Sequence, residues 1–413
     1  MKFLFTLHNF FPEPLFGSET VCVRQMRELL ARGDEVGLFC ASNKTVSIQK
    51  LTEEGLQDLK IYRVGFGPAR AQVLLSVWKP HVEAAFSRVL EEFRPDIVIF
   101  HHLVRLSMGL PGRTRKAGIP SIYYLHDFYP VCPSYSLLNH ENDLCSGGSP
   151  IDCGRCLFSS RFPTLPGFVH GIAPFLAVPL LIPRRFLSEH LLQDVDLFVS
   201  PSAFLRDKLK ELGFNMERCR LIPYPAGSRP IEQEQPKSTE GLTLGYLGKI
   251  SPKKGVSILV RAFEQLDSVR LIIRGFSDDS EIRRFRQENP RSNAILEKFC
   301  SDRSEFFRKI DVLIVPSVWY ENQPNVIIEA FIHKVPVICS DLGGMAEMVR
   351  DGAWGIVFRP GDARDLAEKV RTLNENPSEV SRMKAAIPDW PTIDEHVNTL
   401  LEAANLLVQA SKK

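Results

Sequence analysis

The sequence predicts an α/β protein built from two Rossmann-like domains, each a parallel sheet flanked by helices. Three observations carry this expectation. The chain has 413 residues, too many for one ordinary core and suited to two domains of roughly 150–200 residues each. Short apolar runs alternate with segments of helical period, the pattern of strand–helix units. The strand–loop–glycine–helix opening at Lys2–Gly33 then returns, after a polar break, at Leu242–Leu266.

Lys2 to Leu7 is the first strand, and His8-Asn9 with Pro12-Glu13-Pro14 interrupt it before any leader cleavage site. It runs into the small-residue turn Gly17-Ser18-Glu19-Thr20 and a helix with apolar Val21, Val23, Met26, Leu29 and Leu30, ending at Gly33. A glycine there lets a ligand approach the backbone. The full G-x-G-x-x-G fingerprint is missing, which argues against a dinucleotide, and a plain turn is the alternative. Val36–Cys40 and Lys60–Val64 are strands, Val82–Phe93 is an amphipathic helix, and Ile97–Phe100 is a strand ending at His101-His102. Ser121–Leu125 delivers His126-Asp127 in the same way. Ligands of open α/β sheets gather beyond the carboxyl ends of strands. These histidines are therefore candidates to line a cleft, with packed loop histidines as the other reading of His101 and His102. Asp127 either orients the His126 ring or caps the next turn.

Cys132, Cys145, Cys153 and Cys156 follow, the last two as C-x-x-C in a Gly-, Ser- and Pro-rich loop. C-x-x-C sets two thiolates on one tetrahedral ion, so a structural zinc site is the reading adopted. Free or pairwise oxidised thiols and an iron–sulfur cluster are the alternatives. Phe162–Pro183, apolar and proline-broken, precedes Arg184-Arg185. It reads either as an interfacial or lipid-acceptor surface or as a buried irregular connection. Asp196–Ser202 and Leu221–Pro225 are further strands with turns.

Ser228–Gly241 is polar, proline-bearing and without period, a linker. The expected organisation is thus domain 1–227, linker 228–241, domain 242–390, and a returning helix within 391–413. The second domain opens with Leu242–Leu247, the loop Gly248-Lys249-Ile250-Ser251-Pro252-Lys253-Lys254-Gly255, a helix Val256–Leu266 and a strand Val269–Gly275. A lysine-rich, glycine-bounded loop between strand and helix is suited to phosphate, although it is not a Walker loop. Asp278–Lys298 is arginine-rich at helical spacing and reads as a solvated face. Val312–Val315 is a buried strand broken by Pro316-Ser317. Pro324 then suits a first helical turn, where its missing N–H costs nothing. Asn325, Val326 and Ile327 are expected to offer free amides at the positive end of that helix. Glu321 and Glu329 bracket the turn with seven residues between them. Carboxylates accept hydrogen bonds from ribose and sugar hydroxyls, so phosphate and hydroxyl acceptors sit together. Pro336–Cys339 is a strand, Gly343-Gly344 opens another helix, and Asp394–Gln409 is amphipathic.

Glu321 and Glu329 resemble the E-x7-E signature of the retaining glycosyltransferases of family 4, and matching segments run from Phe11 to about Asp362. The resemblance implies the GT-B architecture: two Rossmann-like domains facing a cleft, with the last helix crossing back onto the first domain. It also implies roles. Gly17 meets the donor diphosphate, with Ser18 standing where the family has a second glycine. His126 contacts the donor sugar near the reacting carbon, while Lys249 and Lys254 hold the diphosphate. Glu321 and Glu329 serve the sugar and ribose hydroxyls, and Gly343 and Gly344 approach the nucleotide sugar. Transfer of a sugar from a nucleotide diphosphate to an acceptor hydroxyl, with retention, is then expected, in polysaccharide, glycolipid or glycoconjugate assembly. The two lysines and the helix amides would stabilise the leaving diphosphate as an oxyanion hole does, with no cofactor needed for transfer beside the structural zinc. A non-catalytic nucleotide-sugar-binding protein and a sugar-nucleotide epimerase are the competing classes.

Composition bounds the partners. The formal net charge of +2 gives no ground for a nucleic-acid partner. Nine cysteines without a leader fit a reducing, cytoplasmic setting. No stretch reaches the ~20 apolar residues of a spanning helix. Peripheral contact with the inner membrane face and a saccharide or lipid-linked acceptor are the open expectations. The residues do not name the sugar or the base.

Overall fold

A computed structural model describes residues 1–11, 13, 17–42, 55–65, 77–161, 184, 187–227, 241–299, 303–350 and 352–412. The prolines at 12 and 14, the Phe162–Pro183 segment with Arg185, and the linker up to residue 240 lie outside these residues. The chain divides into two units, Met1–Pro225 with Ile393–Lys413, and Ala226–Thr392.

In the first unit, β1 (Lys2–Leu7) leads into α1 (Gly17–Ala31), β2 (Glu35–Ser42) and β3 (Lys60–Gly65). Then come α2 (Pro80–Phe93), β4 (Ile97–Phe100), α3 (Leu110–Lys116), β5 (Ser121–Tyr124), α4 (Pro150–Arg161), β6 (Leu197–Ser200), α5 (Ala203–Glu211) and β7 (Cys219–Leu221). The strands form one parallel sheet in the order β3-β2-β1-β4-β5-β6-β7. Its central strands are buried end to end, which is why they read as unbroken apolar runs rather than alternating ones. Gly17–Thr20, expected as a turn, is the first turn of α1. Ser202 caps α5 by accepting from the Leu205 amide. The C-terminal helix Ile393–Ser411 belongs to this unit. Its Val397, Leu400, Ala403, Ala404 and Val408 share a core with Cys22, Met26 and Leu29 of α1, each large side chain contributing about 1.5–3 kcal/mol of burial.

The second unit repeats the scheme. It runs β8 (Thr243–Leu247), α6 (Val256–Phe263), β9 (Arg270–Phe276), α7 (Asp279–Glu288), β10 (Ile295–Lys298), α8 (Ser304–Lys309) and β11 (Val312–Val315). Then follow α9 (Asn325–Ile332), β12 (Val337–Ser340), α10 (Gly344–Val349), β13 (Gly355–Phe358), α11 (Ala363–Glu375) and α12 (Pro377–Ala386). All strands are parallel, in the order β10-β9-β8-β11-β12-β13. The Asp278–Lys298 stretch is not one solvated helix. Asp278 caps α7, and the remainder becomes the edge strand β10 with Ile295 exposed.

Strand order reverses beside β1 in one sheet and beside β8 in the other, the place where α/β sheets open a crevice for ligands. The carboxyl ends of β1, β4 and β5 carry His8, His101-His102 and His126-Asp127. Those of β8 and β11 carry the Gly248–Gly255 loop and the Pro316–Pro324 turn. Among the described residues no helix is long and apolar enough to cross a membrane.

Candidate functional site

In the second unit, charge collects around Glu321. Its Oε1 accepts from the Lys254 ammonium at 2.5 Å, the Trp319 indole N–H at 2.8 Å and the Ser317 hydroxyl at 3.2 Å. The Lys253 and Lys254 ammonium groups each lie 5.6 Å from the centre of the Trp319 ring, within cation–π reach. Two backbone devices make this possible. Pro252–Lys254 is a single 3-10 turn, and Gly255 closes it in the left-handed region at φ 68°. A Cβ on Gly255 would lie 1.8 Å from the Pro316 carbonyl oxygen, so only glycine lets the lysine loop touch the turn after β11. The Val318 amide donates to the Lys253 carbonyl across the same seam.

Gly344 performs the matching task from the other side. Its amide donates to the Glu321 carbonyl at 2.8 Å, and a Cβ there would sit 1.7 Å from the Asn322 carbonyl oxygen. Gly343, at φ 64°, precedes α10 as its cap residue. Gly343, Gly344, Lys254 and Glu321 are thus drawn into one neighbourhood from loops far apart in sequence. Lys249 is exposed, and its carbonyl accepts from the Tyr246 hydroxyl.

The opening of α9 differs from expectation in one atom group. Pro324 is the cap rather than the first helical residue, and the Ile327 amide donates to the Pro324 carbonyl at 3.0 Å. That amide closes the first turn and is not available to a ligand, while the Ile327 side chain is buried. Asn325 and Val326 carry the amides at the open end. The Asn325 Oδ1 is buried with no hydrogen-bond partner among the described residues. Glu329 is already engaged: Arg303 Nη1 donates to its Oε1 at 2.6 Å and its Oε2 at 2.8 Å. The Arg303 guanidinium also lies 5.5 Å from the Phe299 ring centre. Neither Arg303 nor Trp319 was legible as a site residue, since each acts through a carboxylate, Arg303 through Glu329 and Trp319 through Glu321 two residues on.

In the first unit, histidines crowd the carboxyl ends of the sheet. His8 pairs with Glu19 at 3.2 Å and its ring centre lies 4.6 Å from that of His102. His102 Nδ1 accepts from the Val104 amide, so its Nε2–H donates to Asp127 Oδ2 at 2.9 Å. Asp127 therefore orients His102, while its Oδ1 accepts from the Tyr129 amide. It both holds a ring and caps a turn. His126 instead contacts His101 at 2.9 Å and the Tyr224 hydroxyl at 2.6 Å. Burial, reinforced by His101, lowers the His126 pKa well below the ordinary value. Burial also lowers His101, to about 3, and His396 of the C-terminal helix, to about 4. These rings are neutral at physiological pH. Gly17 is exposed at the start of α1.

The expected zinc site has no counterpart among the described residues. Among the described residues no group of three or more His, Cys, Asp or Glu side chains is placed to hold a metal ion, and Cys132, Cys145, Cys153 and Cys156 are free thiols. The sulfurs turn to the backbone instead. Cys153 Sγ lies 3.7 Å from the Gly148 carbonyl and Cys156 Sγ 3.7 Å from the Leu138 carbonyl, contacts suited to S–H donors. Burial is the main cause that raises the Cys153 pKa to about 11 and also raises those of Cys132 and Cys156.

Both units have counterparts among known proteins. A family model described as Glycosyltransferase Family 4 matches residues 17–225, and one described as Glycosyl transferases group 1 matches residues 241–376. The chain is 27% identical over 231 residues to the capsular polysaccharide biosynthesis glycosyltransferase CapM of Staphylococcus aureus, a match covering 52% of this chain and 58% of that protein. Among solved structures, Anabaena HepE in complex with UDP is similar with a TM-score of 0.70 at 18% identity, covering 98% of this chain and 100% of that one. The same protein in complex with UDP-glucose gives a TM-score of 0.67 at 17% identity, covering 98% and 100%. At such identities the likeness is one of fold: two parallel-sheet Rossmann-like domains of the GT-B type.

Proposed function

The chain belongs to glycosyltransferase family 4, and from that premise we propose that it moves a sugar from a nucleotide diphosphate sugar to an acceptor hydroxyl with retention of anomeric configuration. The observation that carries this reading is the convergence on Glu321: an ammonium, an indole and a hydroxyl gather on one carboxylate beside the amides that open α9. When the diphosphate arrives, Lys254 can turn from Glu321 to the phosphates, and Lys249 with the Asn325 and Val326 amides adds to the positive potential. Fixed donors of this kind stabilise the charge that grows on a leaving group. Glu321 and Glu329 then accept sugar and ribose hydroxyls, with Arg303 yielding part of its hold on Glu329. Gly343 and Gly344 permit close approach to the nucleotide sugar, Gly17 meets its diphosphate, and His126 serves the transferred sugar.

HepE is found with UDP and with UDP-glucose, which favours a nucleotide-sugar donor here. CapM is named for capsular polysaccharide biosynthesis, which favours a saccharide or lipid-linked acceptor and a role in polysaccharide assembly. Nucleotide release from a panel of UDP- and GDP-sugars, with and without membranes, tests the reading, and the anomer of the product tests retention. Release of UDP or GDP with formation of an α-linked product from an α-linked donor is the expected result. Binding without transfer or hydrolysis would instead mark a non-catalytic binding protein, and an epimerised sugar would mark an epimerase.

A further inference from the structure

An unbroken line of hydrogen bonds runs from the C-terminal helix to His126. The Pro223 carbonyl lies 2.8 Å from His396 Nδ1, and His396 Nε2 lies 2.8 Å from Gln25 Nε2. Gln25 Oε1 lies 2.7 Å from His101 Nε2, His101 Nδ1 lies 2.9 Å from His126 Nε2, and His126 Nδ1 lies 2.6 Å from the Tyr224 hydroxyl. Gln25, His101, Tyr224 and His396 are buried.

Donor and acceptor chemistry fixes every proton along this line, beginning at the carbonyl, which can only accept. His396 must therefore carry its proton on Nδ1, and because burial keeps the ring neutral its Nε2 is a lone pair. That lone pair would repel an oxygen 2.8 Å away, so the Gln25 amide sets its NH2 toward His396 and its oxygen toward His101, with the Tyr124 hydroxyl 3.4 Å from the same His396 nitrogen as a second donor. The oxygen accepts, so His101 is protonated on Nε2 and presents a lone pair at Nδ1. His126 must then donate from Nε2, leaving its Nδ1 to accept from Tyr224. Turning the Gln25 amide over would set its oxygen against the His396 lone pair and reverse both later rings. The Pro223 carbonyl forbids that reversal.

We propose that Gln25, His101 and His396 are positioning residues that lock His126 in its Nε2–H tautomer. The consequence rests on the proposed part of His126 in sugar transfer: with both ring nitrogens engaged, His126 acts as a fixed, neutral group and not as a proton carrier. None of the three positioning residues needs to touch the donor for its loss to be felt at the sugar.

The test uses the full chain labelled with 15N-histidine, reading each ring's tautomer from two-bond proton–nitrogen correlations, with single His variants for assignment. His101 and His126 are expected as Nε2–H and His396 as Nδ1–H. Gln25→Met removes both amide groups at similar volume. It should shift the His126 ring signals toward mixed tautomers, although residue 25 lies one ring away, and lower kcat roughly tenfold with donor KM unchanged. His101→Asn, which can supply an acceptor in place of Nδ1, should retain more kcat than His101→Leu. A wild-type His126 protonated on Nδ1 overturns the lock, as do unmoved His126 signals in a folded Gln25→Met protein. If Gln25→Met does not fold, the wild-type tautomers decide alone. A tautomer shift in a protein that transfers no sugar would uphold the lock and sink the enzymatic reading.

Discussion

The two units use the same sheet to opposite electrostatic ends. At the strand-order reversal of the first, buried His101, His102 and His396 and half-buried His8 and His126 form a group whose line to His126 is neutral. At the reversal of the second, Lys254 with Glu321 and Arg303 with Glu329 form ion pairs with partly exposed cations. Neutral hydrogen bonds hold orientation whatever the salt of the medium, until acid protonates the rings. Ion pairs at a half-open edge hold charge that, on the proposed function, a diphosphate would take over, the cations being ordered before it arrives. One region supplies geometry and the other supplies potential.

The sharpest break in this contrast is at Lys254. Lys254→Ala is expected to lower kcat by roughly 10²–10³, the usual result of removing one preorganised donor to a developing anion. Steady-state kinetics that stay within a few-fold of wild type would show that the potential comes from elsewhere.

The neutral region predicts an acid-sensitive fold. His396 is held neutral with a pKa near 4 against 6.5 in the free ring, so below pH 6.5 the unfolded chain binds its proton first. Stability present above pH 6.5 is therefore lost as pH falls toward 4, by roughly 3 kcal/mol from this ring alone at 1.36 kcal/mol per pH unit. Denaturant melts at pH 7.5 and 5 should show the loss, and His396→Gln should lessen it, with His101 and His126 contributing the remainder. An equal slope in that variant would remove His396 as its source.

Glu329→Gln keeps an acceptor but loses the charge that Arg303 grips. Donor KM should rise about tenfold with kcat little changed, measured by nucleotide release. A fall in kcat alone would place Glu329 at the reacting centre instead. The smallest effect is expected where ions lie outside both groups. Arg284 and Glu288 are 4.0 Å apart and well exposed, so Glu288→Gln should change stability by no more than roughly 0.5 kcal/mol. A larger loss in a chemical melt would mean that surface charge also holds this unit together.

Much of the fold was legible because central parallel strands are buried on both faces. Ile97–Phe100 and Val312–Val315 announce themselves as short apolar runs between turn residues. Strand β10 did not, since an edge strand with exposed Ile295 and charged Glu297 and Lys298 lacks that run and follows a helix of the same polarity. In the candidate site, residues adjacent in sequence to strand ends and glycines could be named in advance. Residues that act across the fold could not. Gln25 and His396 meet over 371 positions, and no spacing rule reaches that far. Arg303 follows an arginine-rich stretch that reads as solvated, and only the folded chain shows it on Glu329. The Ile327 amide was misjudged because it bonds back to the Pro324 carbonyl three residues earlier, a tighter closure than the α-helical spacing that leaves the third amide open. C-x-x-C suggested a metal, and no group placed to hold one appears among the described residues.

The return of Ile393–Ser411 to the first unit bears on how the protein is made. When residues 1–225 leave the ribosome, Cys22, Met26 and Leu29 of α1 still lack the C-terminal helix side chains that share their core, and the Gln25 NH2 has no imidazole to face. That side is completed only after the entire second unit has been synthesised. Folding of the first unit therefore ends with a closure across most of the polypeptide, a slow step by its topology, and removing the final twenty residues would damage the unit farthest from them in sequence.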